Sequence, residues 1–337
     1  MKAYVINEFG IDNLSIQEIP TPEPAAGEVL IKFHAASLNF RDLMVVKGVY
    51  NPRMKMPAVP FSDGAGEIVA VGENVTKWNV GDRVMPIFVQ QWFDGEANDK
   101  NRRTALGAGA EWDGVLREYG SFDQESIVAV PEHLSYEEAS TLPCAAITAW
   151  HAIVESGKAK AGETLLTLGT GGVSIFALQF AKMLGLEVIS TSGSNEKIEK
   201  LKELGADHTI NYRETPDWHK TVLEITNKVG VDHVIEVGGA GTVSRSINAV
   251  RTSGHVALIG ALTGGEGIDP VSIFMRLIRL QGVFTGSRRM FEDMNKAISE
   301  NKIKPVIDTV FEFGDVVSAL KYMESGSHFG KIVVKIS

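Results

Sequence analysis

Two rhythms of apolar and polar positions divide the chain. Up to about residue 125, short β-rich runs alternate with Gly and Pro breakers, and few stretches carry a helical period. Glu28–Ala36 (EVLIKFHAA) is such a run, introduced by Pro22, Pro24 and Gly27. Gly64–Gly72 (GAGEIVAVG) is another, and Gly81–Pro86 reads as a turn followed by a short strand. From about residue 160, apolar strand-like runs alternate with amphipathic helical ones. The strands expected are Thr164–Leu168, Glu187–Thr191, His208–Asn211, Asp232–Val237, His255–Ile259 and Leu280–Thr285. The helices expected between them span 173–184, 195–204, 217–228, 242–251 and 270–278. This alternation predicts a doubly wound parallel sheet. After about 287 the rhythm breaks into a helix-like stretch, Phe291–Glu300, and strand-like Thr309–Phe313 and Lys331–Ile336.

One segment fits neither rhythm. Residues 88–115 are polar, Gly-rich and aperiodic, and a loop of this length is usually functional or mobile. It reads either as a solvated excursion or as a lid with Trp92 and Phe93 turned toward a ligand.

Composition narrows the class. The chain has 337 residues, 44% hydrophobic and 22% charged, which is ordinary for a globular protein of two domains. Its net charge is −9 and no basic run stands out, so nucleic acid and anionic membrane surfaces are not expected partners. A single cysteine, Cys144, excludes an intramolecular disulfide and a four-cysteine zinc site. The opening residues have no apolar signal-peptide core, and no apolar run reaches membrane-spanning length. A cytoplasmic location is the expectation.

The chemistry concentrates at Gly169-Thr170-Gly171-Gly172-Val173-Ser174, which follows the first strand of the alternating region and opens a helix. The first glycine permits a tight turn, the second lets the backbone approach a pyrophosphate, and the helix start offers free N–H groups. This predicts a dinucleotide site. NAD sites usually carry an acid about 20 residues on, at the end of the second strand. Glu187 has the spacing but falls at the start of that strand. At the strand's end stand Ser190-Thr191-Ser192-Gly193-Ser194 and then Lys197, with Tyr212-Arg213 just past the third strand. Hydroxyls and a cation suit the 2′-phosphate of NADP, which a carboxylate would repel.

Several further segments carry a resemblance: the opening MKAYVINEFG, SLNFRDLMVVKGVY (37–50), VPFSDGAGEIVAVGENV (59–75), WNVGDRV (78–84), LPCAAITAW (142–150), EVGG (236–239) and GKIVVKI (330–336). With the glycine motif, they make the chain resemble the zinc-independent, quinone-oxidoreductase-like branch of the medium-chain dehydrogenase/reductase superfamily. The resemblance implies an α/β protein: a GroES-like, mostly-β catalytic domain (1–125 and 287–337) plus a doubly wound parallel Rossmann domain (126–286). Where zinc-dependent relatives offer Cys, His and Cys, this chain has Asn39, Ser62 and Cys144, with Asp63 where the acid beside the His stands. Asn and Ser are poor zinc ligands, so no metal is expected.

By the same resemblance Asn39 lies near the nicotinamide and can polarise a carbonyl. Tyr50 matches a proton donor of enoyl-thioester reductases or is a wall of the site. Asp42 holds Arg41 or caps a helix. Further cofactor contacts would be Thr148, Val237, Gly238, Gly260, Ala261, Leu262, Phe284, Thr285 and Lys331, beside Gly169–Val173, Ser192, Lys197 and Tyr212. The implied activity is a zinc-free, NADPH-dependent oxidoreductase passing hydride to a small quinone, conjugated carbonyl or aldehyde. An enoyl-thioester reductase is the enzymatic alternative; Arg276, Arg279, Arg288 and Arg289 make a small basic run that reads either as its carrier-phosphate site or as a solvated edge. An NADPH-binding sensor with little catalysis is the alternative of another class. A homodimer built on the apolar run around 270–284 is also implied, although a buried core helix would explain that run equally well.

Overall fold

The computed structural model describes residues 1–337 except Ala110, Ala261 and 265–267. The chain forms two compact units, Met1–Ile147 with Thr285–Ser337, and Thr148–Phe284.

The first unit opens with β1 (Lys2–Val5) paired antiparallel to β2 (Ser15–Glu18). The long β3 (Glu28–Ser37) alternates partly buried and buried positions, the period of a strand packed on one face, and ends in a fully buried Ala35–Ser37. It is followed by the short helix α1 (Phe40–Val46), then β4 (Asp63–Val71) and β5 (Arg83–Pro86). A single turn of helix, α2 (Asp99–Arg102), precedes β6 (Tyr119–Asp123) and β7 (Ile127–Ala129). Ile31, Phe33, Ile68, Val84 and Phe122 build the core against these strands, with Phe122 edge-on to Phe33 at 5.8 Å.

The segment after β7 is helical: α3 (Tyr136–Ser140), with Ser135 and Glu138 closing a capping box at its start, then wider helical turns around α4 (Ile147–Trp150). Residues 126–147 group with the first unit, whereas the resemblance implies a domain boundary at 125/126. The reason is pairing: β7 joins β5, and α3 packs on β3 and β4.

The second unit alternates as the pattern predicts: β8 (Thr164–Thr167), α5 (Gly172–Met183), β9 (Glu187–Ser192), α6 (Asn195–Glu203), β10 (His208–Asn211), α7 (Trp218–Ile225), β11 (Val231–Glu236), α8 (Val243–Ala249), β12 (Val250–Leu258), α9 (Pro270–Phe274) and β13 (Arg279–Gly282). Among the described residues these strands make one parallel sheet of order β10-β9-β8-β11-β12-β13. The order reverses between β8 and β11, and in such sheets ligands bind outside the carboxyl ends of the strands at that point. Strand β12 starts five residues before the expected His255, because the chain leaves α8 directly in extended form. The apolar run near α9 divides: Ile278 is buried and Ile273 and Leu280 pack on the core, while Phe274, Met275 and Leu277 are exposed.

The chain then returns to the first unit through α10 (Arg288–Asn301), β14 (Ile307–Glu312), α11 (Val316–Ser325) and β15 (Lys331–Lys335). Helix α11 has no counterpart in the expectations from the sequence. Strand β15 pairs antiparallel with β3 at Val333–Ser37, which sets Lys331 beside the end of β3. Together β14-β15-β3-β4-β5-β7, with β6 on β3, form the sheet of this unit.

Candidate active site

In the second unit the turns at the strand ends are ordered by main-chain and small side-chain contacts. Gly169 leaves β8 with φ +72°, a left-handed conformation that other residues adopt only under strain. Gly171 is the extended residue before α5, whose first N–H groups therefore lie at the turn. The Gly169 N–H donates to Thr191 Oγ1 (3.2 Å), and Ser174 donates to the Leu168 carbonyl (2.7 Å). Ser174, at the third position of the motif, thus ties the helix back to its strand. Gly172 and Val173 form the first turn of α5, while Thr170 is buried in the loop before it.

At the end of β9, Ser192 is buried and accepts from the Ser194 N–H (3.2 Å), and the Ser194 hydroxyl caps α6 at Lys197 N (3.5 Å). The Tyr212 N–H donates to the Ser192 carbonyl (3.0 Å), so Tyr212 stands beside the same turn. Glu187 is at the far end of β9 and pairs with His208 (3.0 Å), away from this edge. A carboxylate that the sequence reasoning missed does lie near: Glu214 Oε1 accepts from Asn195 (2.7 Å) and Asn211 (3.0 Å).

The β11 turn is built around another missed residue. Glu236 is fully buried, and its Oε1 accepts from Gly238 N (2.7 Å), Gly239 N (2.9 Å) and Thr242 Oγ1 (2.6 Å), while Oε2 accepts from Ser246. These bonds fix Val237 and Gly238. A Cβ on Gly260 would come within 1.6 Å of the Val237 carbonyl oxygen, so the β11 and β12 ends approach as only glycine allows. Leu262 is half exposed and Ala261 lies outside the described residues. Thr148 is buried; Phe284, past β13, is exposed.

The first unit gathers a different set. Asn39, the residue before α1, donates its N–H to Asp42 Oδ2 (2.8 Å). Its side-chain oxygen accepts from Lys331 Nζ (2.7 Å), which also donates to the Leu38 carbonyl (2.6 Å). An ammonium has donors only, so this contact fixes which end of the amide is which. The Asn39 amide also bears on Asp63 and helps to lower its pKa. Ser62 donates to Asp63 Oδ1 (2.7 Å) and the Cys144 N–H to Asp63 Oδ2 (3.1 Å). Ser62 and the Cys144 N–H thus converge on the Asp63 carboxyl, while the Lys331 ammonium holds the Asn39 amide oxygen and Asn39 Nδ2 has no hydrogen-bond partner among the described residues.

Burial dominates the electrostatics here. It raises Asp63, against the lowering influence of Lys331, and raises Asp42 to about 7, against Arg41. It lowers Lys331, against Asp63, and pushes the Cys144 thiol far up, which makes a thiolate nucleophile unfavourable. Asp42 takes both expected parts: it completes the capping box with Asn39 and faces Arg41 at 3.8 Å. Tyr50 is 39% exposed and lies over the Arg41 guanidinium at 4.8 Å. Thr285 is fully buried. Among the described residues no group of three His, Cys, Asp or Glu could hold a metal ion.

Two expectations are corrected. Trp92 is not turned to a ligand: it is buried with Phe88 and Val89, and its indole N–H donates to Gly95 O (2.9 Å). Phe93 lies under the Arg288 guanidinium at 5.2 Å. The segment is pinned by bonds such as Leu106 N to Phe88 O (3.1 Å) and Gly107 N to Trp112 O (2.8 Å). It borders a polar cavity of about 690 Å³ that Glu28, Gln90, Asp113 and Arg117 help to line. The four arginines are not a phosphate-binding run. Arg276 donates to Ile247 O (2.8 Å) and Val250 O, and Arg279 to Ser156 O (3.4 Å) and Gly157 O (3.3 Å). Arg288 pairs with Glu125, and Arg289 with Asp94 (3.5 Å) and Asp293 (3.8 Å).

A GroES-type sheet unit and a doubly wound parallel sheet with a glycine turn, carried by one chain, define the class of nucleotide-linked dehydrogenases. Family models match accordingly: alcohol dehydrogenase GroES-like domain over residues 25–132 and zinc-binding dehydrogenase over 172–300. The zinc-type alcohol dehydrogenase-like protein C1773.06c of Schizosaccharomyces pombe is 43% identical, covering 99% of each chain. The acryloyl-coenzyme A reductase of Sulfurisphaera tokodaii is 31% identical over 95% of this chain and 96% of its own. A solved structure described as an NAD-dependent alcohol dehydrogenase superposes with a TM-score of 0.91 at 31% identity, covering both chains in full. The chain belongs to the medium-chain dehydrogenase/reductase superfamily, as an alcohol dehydrogenase-like oxidoreductase. Among the described residues no helix is long and apolar enough to cross a membrane.

Proposed function

We propose that this is a zinc-free, NADPH-dependent oxidoreductase that reduces a small conjugated carbonyl, quinone or aldehyde. The observation that carries the reading is the Asn39–Asp63–Lys331 cluster. Zinc is implied by the names of the family model and the yeast relative, but the donor set does not fit it. Asn39 and Ser62 are weak ligands already spent on Lys331 and Asp63, and the Cys144 thiol resists deprotonation. No step is derived through a metal.

The nicotinamide cofactor, when bound, supplies the hydride. The residues suited to hold it are Gly169–Val173, Val237, Gly238, Gly260, Leu262, Thr148, Phe284 and Thr285, with Ser192, Lys197 and Tyr212 toward a 2′-phosphate. Asn39, oriented by Lys331, would donate from its amide nitrogen to the acceptor carbonyl, and Tyr50 stands as wall or proton source. A second reading, NADH, is favoured by the Glu214 carboxylate near the start of α6 and by the cofactor in the name of the solved relative. The exposed Phe274, Met275 and Leu277 support a homodimer.

The test is NADPH oxidation, with NADH in parallel, against a quinone, a small enone, an aldehyde and an enoyl-CoA, before and after EDTA. Turnover that prefers NADPH and is indifferent to EDTA supports the reading. A clear NADH preference overturns the 2′-phosphate assignment. Loss of activity on chelation overturns the zinc-free one.

A further inference from the structure

Arg41 is 8% exposed, and its guanidinium lies 4.8 Å from the ring centres of both Tyr50 and Phe88. Two aromatic faces attract the cation but offer no acceptor in the plane of its N–H groups. Among the described residues, none of Nε, Nη1 and Nη2 has a hydrogen-bond partner. The nearest carboxylate oxygen, Asp42 Oδ1, is 3.8 Å from Nη1, beyond hydrogen-bond length, and is itself unpartnered. The other Asp42 oxygen is committed to Asn39 N. Burial raises the Asp42 carboxyl well above its usual range, which weakens it as a countercharge to Arg41.

Buried polar groups are ordinarily satisfied, and an arginine fork with no partner calls for one from outside the chain. The two aromatic walls differ. Phe88 is buried at 2% exposure, whereas Tyr50 is 39% exposed beside exposed Val49 and Phe40. Tyr50 is therefore the wall that can turn outward and open the guanidinium to a ligand.

We propose that Arg41 receives a carboxylate of the substrate, so that the preferred acceptor is a small carbonyl compound bearing an acid group. The planar fork matches a two-oxygen anion, and the rings on either side suit a short carbon chain. A phosphate would call for further cations, and the nearby Lys331 is spent on Leu38 and Asn39. The inference rests on the oxidoreductase reading for its substrate but not for the anion site itself.

The experiment pairs trans-4-oxo-2-pentenoate with its methyl ester as acceptors for NADPH oxidation by the wild type, Arg41→Met and Arg41→Lys. Calorimetry of saturated 4-oxopentanoate is run on the same NADPH-loaded proteins. The wild type should favour the acid, and Arg41→Met should lower the acid-over-ester ratio in kcat/KM by about 50-fold, the scale of a lost charged hydrogen-bond pair. Arg41→Lys, which keeps the charge but not the fork, should fall between and serves if the methionine variant does not fold. An unchanged ratio in both variants, with the ester still reduced, overturns the Arg41 inference and leaves the reductase reading standing. If neither acceptor is reduced, that reading fails, and calorimetry decides Arg41 alone. Binding of 4-oxopentanoate that weakens about 50-fold in Arg41→Met upholds it, and absent or equal binding overturns it. Inorganic phosphate that binds more tightly than 4-oxopentanoate also overturns it.

Discussion

The two units arrange their polar groups by opposite means. In Thr148–Phe284 the groups at the strand ends are largely backbone, and glycines and one buried carboxylate, Glu236, shape the turns. In the other unit they are mainly side chains from three distant stretches, the start of α1, the start of β4 and the start of β15, joined by the main-chain N–H of Cys144. Backbone sites tolerate varied side chains but not an added Cβ. The side-chain cluster tolerates backbone adjustment but not the loss of one member, because each buried charge depends on the others.

The largest expected effect tests the second half of that contrast. Lys331→Met removes the ammonium and leaves Asp63 buried without the nearby cation that favours its charged form. Lys331 and Asp63 act on each other through charge without direct contact; removing one of two opposite buried charges leaves the other uncompensated and costs up to about 3–5 kcal/mol. Urea unfolding at pH 8 should show that loss. The double variant Asp63→Asn/Lys331→Met, with no charge left unpaired, should recover most of it. A single variant as stable as the wild type would break the comparison.

Next in size is Gly260→Ala, which tests the backbone half. The added methyl meets the Val237 carbonyl oxygen, a main-chain atom that moves only if the strand ends part. Overpacking of this kind costs about 1–3 kcal/mol. Thermal unfolding should register it, and fluorescence titration should show NADPH binding weakened by about tenfold or more, since one contact of about 1.4 kcal/mol is tenfold. Unaltered affinity would mean that the β11 and β12 ends do not shape the cofactor site.

The same contrast explains what could be read from the sequence. The sheet unit with Gly169–Ser174 was legible because glycine spacing and strand–helix alternation are local consequences of backbone geometry. The cluster in the first unit was not legible from spacing: Asn39 and Lys331 are 292 residues apart and meet only because β15 pairs with β3. Resemblance pointed to Asn39, Ser62, Asp63 and Cys144 and implied a cofactor contact for Lys331, but that its ammonium orients Asn39 shows only in the fold. Glu236 was visible within EVGG, yet its role as acceptor for the turn shows only when Gly238, Gly239 and Thr242 fold around it. The 88–115 segment misled in the other direction. Its composition is that of a loose loop, but Trp92 and Leu106 are buried anchors that no periodicity marks.

The last test concerns protons and is read as a slope. Asp42 is raised from 3.8 to about 7, chiefly by burial, with Asp63 adding to the rise and Arg41, the Asn39 N–H and Lys331 opposing it. Between about pH 4 and pH 7 the unfolded chain has released this proton while the folded chain keeps it. Stability from this group is therefore greatest below pH 4 and falls as pH rises, levelling off above 7, by about 1.4 kcal/mol per pH unit for one full proton. Asp42→Asn keeps an oxygen for the Asn39 N–H and cannot titrate. Across that window its stability should fall less steeply with pH than that of the wild type in parallel urea titrations, by up to one proton in slope. Identical slopes would mean that Asp42 is ionised in the folded protein well below neutrality. Arg41 would then hold a full countercharge, and the first unit would be no more sensitive to a lost charge than the second.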